Sequence, residues 1–173
     1  MKQNILRNIR IEKVTLNIGA GKNTALLDKG FKLLKTISGG NPVKTITQKR
    51  IPAWGLRPGL PIGCKITLRK SVASEILTRL LQAKSFTLKD TQFDDNGNVA
   101  FGIHEYIDIP TVKYDPEIGI IGFEVCVTLE RPGFRIKRRT IKTKRIPDRH
   151  KITKQDAIDF MKNQFKVKIG GEE

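Results

Sequence analysis

Cysteine is scarce in this chain. Cys64 and Cys126 are the only two in 173 residues, too few for a disulfide scaffold and too far apart for any zinc-ligand spacing. Each falls in a stretch that alternates apolar with polar, where a packed thiol is the expected reading. Histidine is equally sparse: His104 and His150 have no second His or Cys at ligand spacing and no nucleophile motif beside them. No apolar run approaches the roughly 18 residues of a membrane span. The opening MKQNILRNIRIEK also lacks the roughly 7–15-residue apolar core of a secretory leader, so an intracellular chain with no membrane partner is expected. Acid is the remaining shortage, with 17 Asp+Glu against 33 Lys+Arg for a net charge of +16. A chain of this length can bury roughly 70% of its unfolded surface, and 38% of its residues are hydrophobic. Whole-chain disorder is therefore excluded, and one domain over 1–173 is expected.

The positive charge is unevenly placed. Asp90 to Glu130 holds nine acids against Lys113 alone, a net −8, so the other 132 residues carry +24. Lys44 to Lys70 has seven Lys/Arg and no acid, and Arg131 to Lys151 has ten against Asp148. Self-repulsion on that scale is relieved when a polyanion supplies counter-charge. The basic stretches carry Pro, Gly and β-branched residues and form no amphipathic helix with one apolar and one basic side, which favours nucleic acid over a lipid surface.

Periodicity supplies the architecture. Ile9 to Ile18 alternates as a strand, with Val14, Leu16 and Ile18 set against Lys13, Thr15 and Asn17. A helix over roughly Thr24–Ile37 has Leu26, Leu27, Phe31, Leu34 and Ile37 on one stripe, and Gly39-Gly40 ends it. Val43 to Gln48 is a short strand, 49–61 a long projecting loop, and Ile62 to Arg69 a strand with Lys65, Thr67 and Arg69 on its polar side. Ser71 is expected to cap a second helix burying Val72, Ile76, Leu77, Leu80 and Leu81. A turn at Asp95–Asn98 leads to Val99, Phe101 and Ile103, and a further strand is marked by Phe123, Val125, Val127 and Leu129. Thr153 and Asp156 open a last helix carrying Ile158, Met161 and Phe165. Helices interleave with half-apolar strands. The expected fold is a two-layer α+β domain whose mostly antiparallel sheet has helices on one face and leaves the other open. Lys13, Thr15, Asn17, Lys65, Thr67 and Arg69 would form a flat polar surface suited to sugar hydroxyls and phosphates if their strands are neighbours.

Catalytic motifs fail their tests. Gly19-Ala20-Gly21-Lys22 lacks the P-loop spacing, because Leu16 stands five before Gly21 and Asn23 follows Lys22. Thr24 takes the place of the dinucleotide fingerprint's third glycine. A Gly-turn at a helix N-terminus remains, either structural or able to hold an RNA phosphate. Asp94, Asp95, Asp108, Asp115 and Glu117 could be imagined as a metal-dependent nuclease site, but their spacing shows no convergence. No catalytic residue, metal or cofactor is expected. Trp54, the single Trp, sits among Lys49, Arg50 and Arg57, either stacked on a base or tucked under its own loop.

The segments IEKVTLNIGAGK, GGNPVKT, RPGLPIGCKITLR, FDDNGNVAFGIHEYIDIP and KYDPEIGIIGFEVCVTLERPGFRIKRR resemble the universal large-subunit ribosomal protein five family, which binds 5S rRNA. The last is more similar to the archaeal and eukaryotic branch, and no counterpart of the bacterial helical N-terminal extension is expected. The resemblance implies a non-enzymatic, ribosome-bound protein of the central protuberance. Its implied partners are 5S rRNA, nearby large-subunit rRNA, P-site tRNA, a basic small-subunit head protein and neighbouring large-subunit proteins. It implies 5S rRNA contacts at Asn17 and Thr67, while the family's glutamine in the helix-to-strand turn is replaced by Gly40, with Asn41 beside it. Arg10 and Lys44 join the implied rRNA set, as do Arg135, Arg138 and Arg139 on an extended basic segment, 131–151, lying along rRNA backbone. The tRNA-facing loop 49–61 would act through Lys49, Arg50, Trp54, Gly55 and Arg57. The acidic window would face the head protein. A non-specific RNA chaperone is the other alternative.

Overall fold

A computed structural model of the chain describes residues 4–170; residues 1–3 and 171–173 of the expected domain lie outside the described residues. The strands are β1 (Arg10–Gly19), β2 (Val43–Ile46), β3 (Pro61–Leu68), β4 (Thr87–Leu88), β5 (Val99–Ile103), β6 (Phe123–Glu130) and β7 (Lys168–Ile169). The helices are α1 (Thr24–Ser38), α2 (Lys70–Ala83), the single turn α3 (Arg135–Arg138) and α4 (Lys154–Phe165). Five strands form one antiparallel sheet in the order β2-β3-β1-β6-β5, while β4 and β7 pair in parallel as a small second sheet. The fold is α+β. The β4–β7 pair is not legible in the sequence, because two-residue strands carry no periodicity.

Alternation decides what each strand buries. Val14, Leu16 and Ile18 of β1, Cys64, Ile66 and Leu68 of β3, Val125, Val127 and Leu129 of β6, and Val99, Phe101 and Ile103 of β5 face one core. Helix α1 lies on β3 and β1, and α2 lies on β1. The buried residues of α1 are Leu27, Gly30, Leu33, Leu34 and Ile37, with Leu26 and Phe31 only partly covered. Gly30 occupies the middle of the stripe because a Cβ there would sit 3.1 Å from Ile18 and 3.3 Å from the Cys64 sulfur. Asn23 caps the helix through Leu26 N at 3.1 Å, and Gly39 ends it in the left-handed conformation.

Helix α2 differs from expectation at its start. It begins at Lys70 after the extended Arg69 and has no side-chain cap, so Ser71 lies within the first turn. Val72 is exposed, because the core stripe centres on Ala73, Ile76, Leu77, Leu80 and Leu81 and Val72 lies at its edge in the first turn. Helix α4 has the expected capping box, Thr153 accepting from Asp156 N and Asp156 accepting from Thr153 N.

Gly63 marks a tight point of the sheet. A side chain there would place Cβ 2.6 Å from the Ile18 carbonyl oxygen and 3.0 Å from the Thr45 hydroxyl. Backbone cannot yield as a flexible side chain can. A Gly63→Ala chain is expected to lose about 1–3 kcal/mol, read as a lower urea midpoint at unchanged slope; an unchanged midpoint would mean that β1 and β3 separate more easily than their close packing implies.

Candidate nucleic-acid interface

The face of the sheet away from the helices is uncovered. Cross-strand register sets its rows: Val43, Lys65, Asn17, Glu124 and Gly102 lie side by side, and Thr67, Thr15, Cys126 and Ala100 form the next row. Lys13 stands opposite Thr128. At about 4.8 Å between strands, the first row spans about 19 Å. Asn17 is held by donating from Nδ2 to the Glu124 carboxylate at 3.3 Å. Thus Thr15 with Thr67 and Asn17 with Lys65 are direct cross-strand partners on an open, flat, hydroxyl- and amide-bearing surface.

Cys126 corrects an expectation. Cys64 is packed in the core, but Cys126 is exposed on the open face, because its parity is opposite to that of Val125 and Val127. Partial burial pushes its thiol up, and the neighbouring Glu124 charge adds to the shift. Lys44 alternates with Val43 and Thr45, so it lies on the helix side of the edge strand, 3.0 Å from Asp28 and over the Phe31 ring. It is not part of the open face.

Arg10, Arg69 and Arg138 meet at one end of β1. A bulge between Ile11 and Lys13 sets Glu12 out of register, and β6 ends at Glu130. Arg10 holds Glu130 at 2.7 Å, Arg138 holds Glu130 at 2.6 Å and also pairs with Glu12, and Arg69 reaches Glu12 at 3.3 Å. The Glu12 and Glu130 side chains are only 12% and 7% exposed, whereas Arg138 is 44% exposed. Buried carboxylates beneath half-exposed guanidiniums fix three cations in place while leaving other N–H groups toward solvent. The amino-acid sequence places Glu130 only at the end of the acidic window and does not mark Glu12 at all, since a strand bulge leaves no periodic trace.

The segment 131–151 is folded, not extended. Arg131 ties its ends, donating to the Lys151 carbonyl at 2.8 Å and to Asp156 at 3.1 Å. Burial pushes the Asp156 carboxyl up, but the Thr153 bonds and Arg131 outweigh it and hold it below the usual range. Ile146 and Ile152 are buried under this lobe, and His150 bonds the Pro132 carbonyl. Arg135 and Arg138 are exposed, and Arg139 donates to the Lys142 carbonyl at 2.8 Å.

The 49–61 loop is braced internally. Ile51 bridges Leu56, Pro52–Trp54 make a 3-10 turn, and Thr47 bonds to Leu60. Leu56 fills the small core beneath the loop, leaving Trp54 66% exposed beside exposed Lys49, Arg50 and Arg57. The Lys22 side chain lies over Gly55. In the Gly19–Lys22 turn, Ala20 N and Gly21 N both donate to the Ile62 carbonyl, so neither of these N–H groups is left for a phosphate.

The acidic window disperses. Asp90 pairs with Lys154, and Asp115 and Glu117 both pair with Lys32, whose pKa their hydrogen bonds push up to about 12. Asp94 accepts from the Asn96 and Asn98 side chains, which hold its carboxyl low. Among the described residues no three of His, Cys, Asp or Glu cluster as a metal would need.

Comparison with known proteins covers nearly the whole chain. Residues 4–57 match the family model described as "Ribosomal protein L5", and residues 61–167 match the model for the C-terminus of the same ribosomal family. The large ribosomal subunit protein uL5 of Nanoarchaeum equitans is 50% identical over 95% of this chain and 97% of its own length. That of Sulfolobus acidocaldarius is 47% identical over 97% and 94%, and that of Methanosphaera stadtmanae 42% over 96% and 99%.

Proposed function

The chain belongs to the ribosomal L5 family, and on that premise we propose that its open sheet face docks on 5S rRNA. It is a structural constituent of the large ribosomal subunit, not an enzyme, and is ribosome-bound in the cytoplasm. The observation that carries the proposal is the cross-strand pairing of Thr15 with Thr67 and of Asn17 with Lys65 at the centre of the uncovered face. Hydroxyls and an amide on a plane about 19 Å wide suit the shallow minor groove and 2′-hydroxyls of A-form RNA better than a DNA major groove, which takes a protruding element. Lys13, Lys65, Arg10, Arg69, Arg135, Arg138 and Arg139 supply charge to phosphates around that plane, those at the Glu12–Glu130 cluster being pre-positioned.

The braced loop is the contact to P-site tRNA, through Trp54 stacking and through Lys49, Arg50 and Arg57, with Gly55 giving its left-handed turn. Exposed Asp95, Glu105 and Asp108, which form no ion pair among the described residues, suit the basic small-subunit head protein. Nearby large-subunit rRNA and neighbouring large-subunit proteins complete the surroundings. The nuclease alternative loses its support because the carboxylates it needs do not converge among the described residues.

Cys126 makes the docking plane testable without changing any contact residue. In the free protein, alkylation at mildly alkaline pH is expected to label Cys126 and leave Cys64 untouched. Saturating 5S rRNA is expected to slow that labelling about tenfold or more, whereas an unrelated RNA of equal length leaves it fast. Equal protection by both RNAs supports the chaperone reading instead, and no protection by either removes the sheet face as the docking plane.

A further inference from the structure

The open face of a chain carrying +16 holds one carboxylate in its central row, Glu124. It makes no ion pair among the described residues; its side-chain bond is the one it accepts from Asn17. A carboxylate only accepts hydrogen bonds and repels phosphate, so its place here calls for a ligand group that donates. The floor beside it is low: Gly102, Ala100 and Cys126 surround Glu124 on the β5–β6 side, and a Cβ added to Gly102 would meet nothing within 4 Å. A flat ring can lie over that floor with its edge against Glu124. On the other side stand the taller Asn17 and Lys65.

We propose that Glu124 reads the donor edge of an unpaired guanine, whose N1–H and N2–H match the two carboxylate oxygens, while the Asn17 amide holds the carboxylate in position. This rests on the 5S rRNA docking reading and adds to it a residue that determines specificity. An unpaired base is required because a Watson–Crick partner would occupy those same donors.

The test compares the native chain with Glu124→Gln and Glu124→Asp on transcribed 5S rRNA and on an unrelated structured RNA of equal length, at one salt concentration. Both substitutions fall on an exposed strand position, and Glu124→Asp keeps the charge while withdrawing the oxygens by one methylene. Each is expected to reduce the preference for 5S rRNA about tenfold, with binding to the unrelated RNA unchanged or, for Glu124→Gln, slightly tighter. In a second arm, 5S rRNA carries sparse inosine, which lacks the guanine 2-amino group. The native chain is expected to reject inosine at one position that Glu124→Gln tolerates. Preference retained in both variants, equal tightening on both RNAs by Glu124→Gln, or no rejected inosine position overturns the inference while leaving 5S docking intact. A native chain that shows no preference for 5S rRNA overturns the docking reading and this inference with it.

Discussion

Affinity for 5S rRNA is expected to fall about a thousandfold when monovalent salt rises from roughly 50 to 200 mM. About six of the cations around the open face can each neutralise a phosphate, and every neutralised phosphate releases condensed counterion. At roughly 0.9 per phosphate the logarithmic slope is about −5, which over a fourfold change in salt is about three decades. The distribution of charge makes this steep. Outside the Asp90–Glu130 window the chain carries +24, and several of its arginines are locked outward. Filter binding or fluorescence anisotropy across that range measures the slope directly. A response shallower than about −2 would mean that few phosphates are contacted and that the basic groups serve something other than RNA.

The second large effect concerns stability. Arg138→Ala is expected to cost about 3 kcal/mol, more than Glu130→Ala, at about 2. The order follows from which charge is stranded. Without Arg138, Glu12 and Glu130 each lose a partner, with Arg69 holding one at 3.3 Å and Arg10 the other. Without Glu130, the two arginines left behind are half-exposed and can swing into water, which spares most of the penalty of an unpaired charge. Arg139→Ala should be nearly silent by comparison, since its guanidinium bonds only the Lys142 carbonyl of its own turn. Urea unfolding of the three variants checks the order. If Arg138→Ala is as stable as the native chain, the cluster is not structural and Arg138 is a free phosphate contact. RNA binding separates the same residues: Arg139→Ala loses one phosphate contact, while Arg138→Ala also removes the guanidinium that bridges Glu12 and Glu130.

Much of this molecule is legible from residue order because strand parity is a local property. Once Val14, Leu16 and Ile18 are placed inward, Lys13, Thr15 and Asn17 must face outward, and the same holds for Lys65 and Thr67 against Ile66 and Leu68. The α4 cap is local too, since Thr153 and Asp156 are one turn apart. The same parity rule, carried through, places Glu124, Cys126 and Thr128 on the open face and Lys44 on the covered one. What it could not supply is which strand lies beside which.

By itself the amino-acid sequence determined the alternation, the helix stripes, the division of charge and hence a basic α+β domain with one polar sheet face. Tertiary structure alone decided that β1 sits between β3 and β6, which brings Asn17 against both Lys65 and Glu124. It also folded segment 131–151 back on Arg131 and gathered Glu12, Glu130 and three arginines into one cluster. The physical reason is range. Side-chain direction depends on the next bond along the chain, whereas register and ion-pair partners depend on contacts as far as 120 positions apart, as between Arg10 and Glu130, and no local periodicity records them.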